Sequence, residues 1–139
     1  MKLFLDTSAF AKRCVAEQGS VKVLALCQQA NSLVVSVICL PELISTLFRL
    51  VREKKLGKAD YQGLKAYAMA DLKDVDVCQM APEVVTSALS LLEAHPLRAM
   101  DALHLACALA VKPDLFVSAD QRQLAAAKRA GLKIADVGA

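Results

Sequence analysis

Aromatic residues are scarce in this 139-residue chain: no tryptophan, two tyrosines and four phenylalanines, 4% in all. Extensive base stacking of the kind that general single-strand binders use therefore has few platforms. Glycine (5) and proline (4) are few as well, and hydrophobic residues reach 56%. That balance excludes a collagenous fibre, a disordered tail and a low-complexity linker. No C-x-x-C pair occurs among Cys14, Cys27, Cys39, Cys78 and Cys107. Odd in number, widely separated and set among apolar neighbours, these cysteines read as small buried hydrophobes of a reducing compartment, not as zinc ligands or a disulfide frame. A membrane span is missing too. Mean hydropathy is +0.41, but the longest uncharged run, 19 residues over 23–41, contains Gln28-Gln29 and Asn31-Ser32 and closes at Pro41. It reads as a helix, a turn and a short strand. The opening Met1-Lys2-Leu3-Phe4-Leu5-Asp6 has no apolar h-region or small-residue cleavage site, so a cytoplasmic location and no membrane partner are expected. Nor does one sign of charge dominate. Seventeen Lys+Arg against 14 Asp+Glu leave +3, which permits a polyanionic partner without arguing for one.

What the chain does have is alternation. Short apolar runs predict strands over 2–5, 33–37, 75–78, 115–118 and 133–137, the second marked by Val34, Val35 and Val37. Helical patterns fill the intervals, at 8–15, 20–30, 40–54, 58–72, 82–94, 99–110 and 121–130. Leu40, Leu43, Ile44, Leu47 and Val51 follow the spacing of a buried helix face. Strands separated by helices pair in parallel, because parallel neighbours need a crossover and a helix supplies it. The length suits one domain, residues 1–139. The expected fold is a three-layer α/β/α sandwich around a mainly parallel sheet of about five strands. Ligands of such folds bind at the carboxyl ends of the strands, where strand order reverses.

Four acids sit at those ends. Asp6 follows the first strand, Glu42 opens the helix after the second, Asp101 begins the helix of an apolar segment, and Asp120 follows the fourth strand. Each aspartate alone could simply cap a helix. Capping does not account for Glu42, however, which continues into a polar face through Ser45, Arg49 and Arg52. Carboxylates gathered at one edge repel unless a cation neutralises them, and hard oxygen donors suit Mg²⁺ or Mn²⁺.

The same residues carry a resemblance. Leu5-Asp6-Thr7-Ser8-Ala9 with Lys12, then Pro41-Glu42, then Leu97-Arg98-Ala99-Met100-Asp101-Ala102-Leu103-His104-Leu105-Ala106, then Val117-Ser118-Ala119-Asp120 leading to Leu124, Ala127 and Gly131-Leu132, follow one another over essentially the whole chain. In that order they resemble the PIN-domain family, specifically the VapC-type toxins of bacterial toxin–antitoxin pairs. Ser118 stands where the family often has threonine, and the hydroxyl is kept.

The resemblance implies a metal-dependent endoribonuclease in which Asp6, Glu42, Asp101 and Asp120 hold one or two Mg²⁺ or Mn²⁺ ions. Ser8 and Ser118 would orient the carboxylates or a bound water. The cation would activate water and stabilise charge on the scissile phosphate, leaving 5′-phosphate and 3′-hydroxyl ends. It further implies a homodimer held inactive by a small antitoxin, whose C-terminal segment occupies the acidic groove. Lys12 and Arg98 become candidate substrate contacts.

Arg49, Arg52, Lys54, Lys55 and Lys58 form a basic cluster broken by Glu53. It reads either as a solvated helix end or as a phosphate-contact strip, since Arg49 and Arg52 share the helix face that begins at Glu42. With the four acids' −4 set aside, the formal +3 becomes +7, a surface whose RNA binding would be strongly salt-dependent. His104 reads as a packing or hydrogen-bonding residue, not a general base. A receiver domain is excluded because no aspartate ends the third strand and no lysine the fifth. A haloacid-dehalogenase-like phosphatase is excluded because Ser8 stands where its second aspartate is needed. The remaining alternative is a PIN-like interaction module without catalysis.

Overall fold

Strand β1 (Lys2–Leu5) is the centre of the sheet. It pairs in parallel with β2 (Ser32–Ser36) on one side and with β4 (Leu115–Ser118) on the other. β3 (Asp76–Cys78) lies outside β2 and β5 (Ile134–Asp136) outside β4, giving the all-parallel order β3-β2-β1-β4-β5. The structure, a computed structural model, describes residues 1–138.

Handedness then decides where the helices go. Between β1 and β2 lie α1 (Thr7–Cys14) and α2 (Ser20–Gln28); between β2 and β3 lie α3 (Cys39–Arg52), α4 (Lys58–Asp71) and a short 3₁₀ turn at Leu72–Asp74. α5 (Pro82–Ala94) and α6 (Ala99–Val111) lead back to β4, and α7 (Gln121–Arg129) to β5. Right-handed crossovers running outward through β2 to β3 place α1–α4 on one face, and those running the opposite way place α5–α7 on the other. Strand alternation divides the core accordingly. Leu3 and Leu5 pack with Phe10, Leu43, Leu47 and Tyr61, whereas Phe4 points the other way, toward Val84, Leu105 and Leu124. Phe4 stacks on Phe116 of the neighbouring strand, with ring centroids 5.7 Å apart.

The expected three-layer sandwich is thus present, with every predicted strand and helix within two residues of its expected bounds. The apolar face of α3 is explained by this core: Leu43 and Leu47 are buried in it, and Leu40, Ile44, Phe48 and Val51 pack against it. Arg13 of α1 grips Asp71 at the end of α4 with two hydrogen bonds, 2.8 and 2.6 Å. The five cysteines are free, and burial pushes the thiols of Cys39 and Cys107 up to about 12, so they carry no thiolate at neutral pH. Among the described residues no helix is long and apolar enough to cross a membrane.

Candidate active site

Because the chain leaves β1 toward β2 and later returns to its other side at β4, a crevice opens at the carboxyl ends of these two strands. Each of the four acids occupies the beginning of a helix there. Asp6 is the N-cap of α1, accepting from the Ala9 backbone N–H (3.0 Å), and Asp120 is the N-cap of α7, accepting from Arg122 and Gln123 (2.9 and 3.2 Å). Glu42 and Asp101 lie in the first turns of α3 and α6. The positive ends of the helix dipoles partly offset their charge. All four acids line one cleft of about 590 Å³, together with Thr7, Ser8, Arg98, His104 and Gln123. Capping and convergence therefore coexist: the aspartates that cap α1 and α7 are the ones that meet at the cleft.

Asp6 is the most enclosed, 3% exposed. Ser8 Oγ donates to its Oδ1 (2.6 Å) and Ser118 Oγ to its Oδ2 (2.5 Å). These hydroxyls in turn accept from the backbone N–H of Ala119 and of Asp120, each at 2.9 Å. The two serines thus relay Asp6 to the chain leaving β4 and lock together the ends of two neighbouring strands. Burial nevertheless holds the Asp6 carboxyl above its ordinary value, against the pull of Ser118, Ser8 and the Ala9 amide.

Glu42 is treated differently. Thr7 Oγ1 donates to its Oε1 (2.6 Å), and the buried imidazole of His104 bonds the same oxygen through Nε2. Burial raises the Glu42 carboxyl, but these bonds outweigh it and leave the group below its ordinary value. Asp101 goes the other way: burial, then the neighbouring charge of Asp120, raise it, against the pull of Arg98.

Carboxylates held above their ordinary values at a shared cleft lack countercharge, and a cation would supply it. Among the described residues no three acidic, histidine or cysteine side chains are grouped so as to hold a metal ion by themselves. The fit rests on donor chemistry: the four acids that line the cleft offer hard oxygen donors, the type that Mg²⁺ and Mn²⁺ take, and Mg²⁺ is bound through one or two carboxylates while keeping several of its waters.

The basic candidates separate. Arg98 lines the cleft as the N-cap of α6, its side chain 81% exposed and its Nε 3.5 Å from Asp101 Oδ2. Arg49 and Arg52 lie in the last turn of α3, beyond the cleft-lining Ser45 and Thr46; both are exposed, and the Arg52 guanidinium lies over Phe48. Lys12 is not among the residues that line the cleft. Its Nζ donates to the Gln18 carbonyl (2.6 Å) and pairs with Glu17 (3.2 Å), so the loop after α1 engages its ammonium. Thr7 and Gln123 escaped sequence reasoning. Thr7 sits within a quoted motif, but its partner Glu42 is 35 positions away; Gln123 has no sequence signal beyond following Asp120 by three.

A parallel sheet in this order, with acids gathered at its switch point, defines the class. The chain belongs to the PIN domain family, whose sequence model matches residues 3–129. It is similar to Ribonuclease VapC45 of Mycobacterium tuberculosis, 32% identical over 139 residues that cover 96% of this chain and 94% of that one. Among solved structures, M. tuberculosis VapC20, described as a sarcin-ricin loop cleaving toxin, aligns with a TM-score of 0.71 at 17% identity over 94% of this chain and 95% of that one. A toxin–antitoxin complex from Klebsiella pneumoniae aligns with a TM-score of 0.68 at 12% identity over 97% of both chains. At those identities the two structures speak for the fold.

Proposed function

We propose that this chain, a single PIN-like domain over residues 1–139, is an endoribonuclease hydrolysing RNA phosphodiester bonds. Asp6, Glu42, Asp101 and Asp120 would hold its Mg²⁺ or Mn²⁺. The observation that carries this reading is the meeting of four acids from four separate segments in one cleft, two of them held above their ordinary values. The similarity to a protein named a ribonuclease supports it. When bound, the cation would activate water for attack and stabilise the charge that develops on the phosphate. The protein's own part is placement. Ser8 and Ser118 fix both oxygens of Asp6, Thr7 and His104 fix one oxygen of Glu42, and Arg98 at the mouth offers a positive charge to the backbone of the incoming strand.

The similarity to a VapC protein also supports a role as the toxin of a toxin–antitoxin pair, with a small antitoxin covering the cleft. Val85, Leu89 and Leu92, exposed along one face of α5, suit a second copy of the chain. Light scattering at several concentrations tests that homodimer; a monomer throughout refutes it. The test of function is single-turnover RNA cleavage with Mn²⁺ by the wild-type chain and Asp6→Asn. Wild type should yield 5′-phosphate ends and the variant should be inactive. Equal residual activity in both overturns the reading, and partner binding without any cleavage favours the interaction module.

A further inference from the structure

Helix α7 buries four residues, Gln123, Leu124, Ala126 and Ala127. Three are the apolar residues such a face requires. Gln123, 1% exposed, is not. A buried amide costs free energy unless its polar atoms are hydrogen-bonded, and here one of them has no partner. Nε2 faces Oδ2 of Asp6 at 3.4 Å. That contact sets the orientation of the amide, since a carboxylate offers no proton to Oε1. Oε1 is left buried with no donor from the protein, and the residue lines the cleft that holds the four acids. Leucine or methionine would fill the same volume without an orphaned acceptor, so packing alone does not account for glutamine here.

We propose that Gln123 is a positioning residue of the cation site: its amide N–H steadies Asp6, and its Oε1 accepts a hydrogen bond from water carried by the divalent cation. This rests on the cation reading of the cleft given above. The missing partner has to be a donor, has to reach a position beside the enclosed Asp6, and has to be tolerated next to a buried carboxylate. Water on a divalent cation meets all three requirements, because Mg²⁺ retains several of its waters when bound. Hydrogen-bonding residues around the ligands of a metal commonly govern its affinity in this way.

The test needs no RNA. Mn²⁺ alone is titrated into the full chain by electron paramagnetic resonance, and thermal denaturation of the cation-free protein provides a second readout. Gln123→Leu should weaken Mn²⁺ binding about tenfold while leaving the cation-free Tm unchanged or higher. Gln123→Glu, which restores an acceptor, should bind Mn²⁺ at least as tightly as wild type. Wild-type affinity in Gln123→Leu overturns the inference and leaves the cation reading intact. Weakened binding that follows a lowered cation-free Tm and does not recover in Gln123→Glu also overturns it, since the role is then packing. A wild-type chain that takes up no Mn²⁺ removes the cation reading and this inference together.

Discussion

Glu42 and His104, 62 residues apart in sequence, meet through Oε1 and Nε2 in the cleft, with Thr7 Oγ1 2.6 Å from the same carboxylate oxygen. Both bonds fall on Oε1, which pins the rotation of the carboxylate against α1 and α6. His104 is thereby accounted for as the hydrogen-bonding residue the sequence suggested.

This arrangement predicts the effect of Thr7→Val. Thr7 helps hold the Glu42 carboxyl below its ordinary value, so removing the hydroxyl should raise it. A carboxyl depressed on folding contributes stability above its unfolded value, lost as pH falls through the folded one. The variant should therefore be less stable at neutral pH and lose less on acidification, its loss ending at a higher pH, and cleavage should slow about tenfold. A carboxyl NMR titration of Glu42 in the cation-free chain checks it; an unshifted curve refutes it.

Asp101 carries the opposite sign. Burial and Asp120 raise its carboxyl above the ordinary 3.8. A raised acid favours the folded state below its unfolded value and penalises it as pH rises through the folded one. Asp101→Asn should thus melt a few degrees higher than wild type at neutral pH, with the difference shrinking toward pH 4, while cleavage is lost. Calorimetry across that pH range decides; a lower Tm at neutral pH contradicts the account.

Arg98 and Lys12 should part company. Arg98→Ala should weaken RNA binding and lower the slope of log affinity against log salt by about one unit. Lys12→Ala should leave RNA binding unchanged and instead cost about 1 kcal/mol of stability, because its ammonium serves Gln18 and Glu17. Loss of RNA affinity in a fully folded Lys12→Ala protein would restore that residue to the substrate path.

Two glycines offer a matched pair. Gly19 has φ +92°, and an added Cβ would lie 2.0 Å from the Val137 carbonyl oxygen; Gly131 has φ +97°, with open space around it. Gly131→Ala should cost only the backbone strain, about 1 kcal/mol, whereas Gly19→Ala should cost about 3 kcal/mol or more. Urea denaturation measures both, and equal losses would show that the contact with Val137 yields freely.

The element pattern and the local surroundings of the four acids were legible because they are local. Asp6, Glu42, Asp101 and Asp120 each stand at a helix start that periodicity and strand ends reveal. Thr7 and Gln123 were not, since each matters through a partner far along the chain, Glu42 at 35 positions and Asp6 at 117. The ammonium of Lys12 was not legible either: its partners Gln18 and Glu17 lie in the loop after α1, and only the folded chain shows them.

By itself the sequence determined the alternation of strand and helix, hence a parallel sheet with its binding edge at the strands' carboxyl ends. Periodicity and crossover chemistry act within a few turns of chain. Only the tertiary structure decided the strand order that sets β4 beside β1 and so brings Asp120 and Ser118 to Asp6. It also decided which polar side chains are satisfied and which are left without a partner. Those outcomes depend on burial and on partners distant in sequence, and no local pattern encodes either.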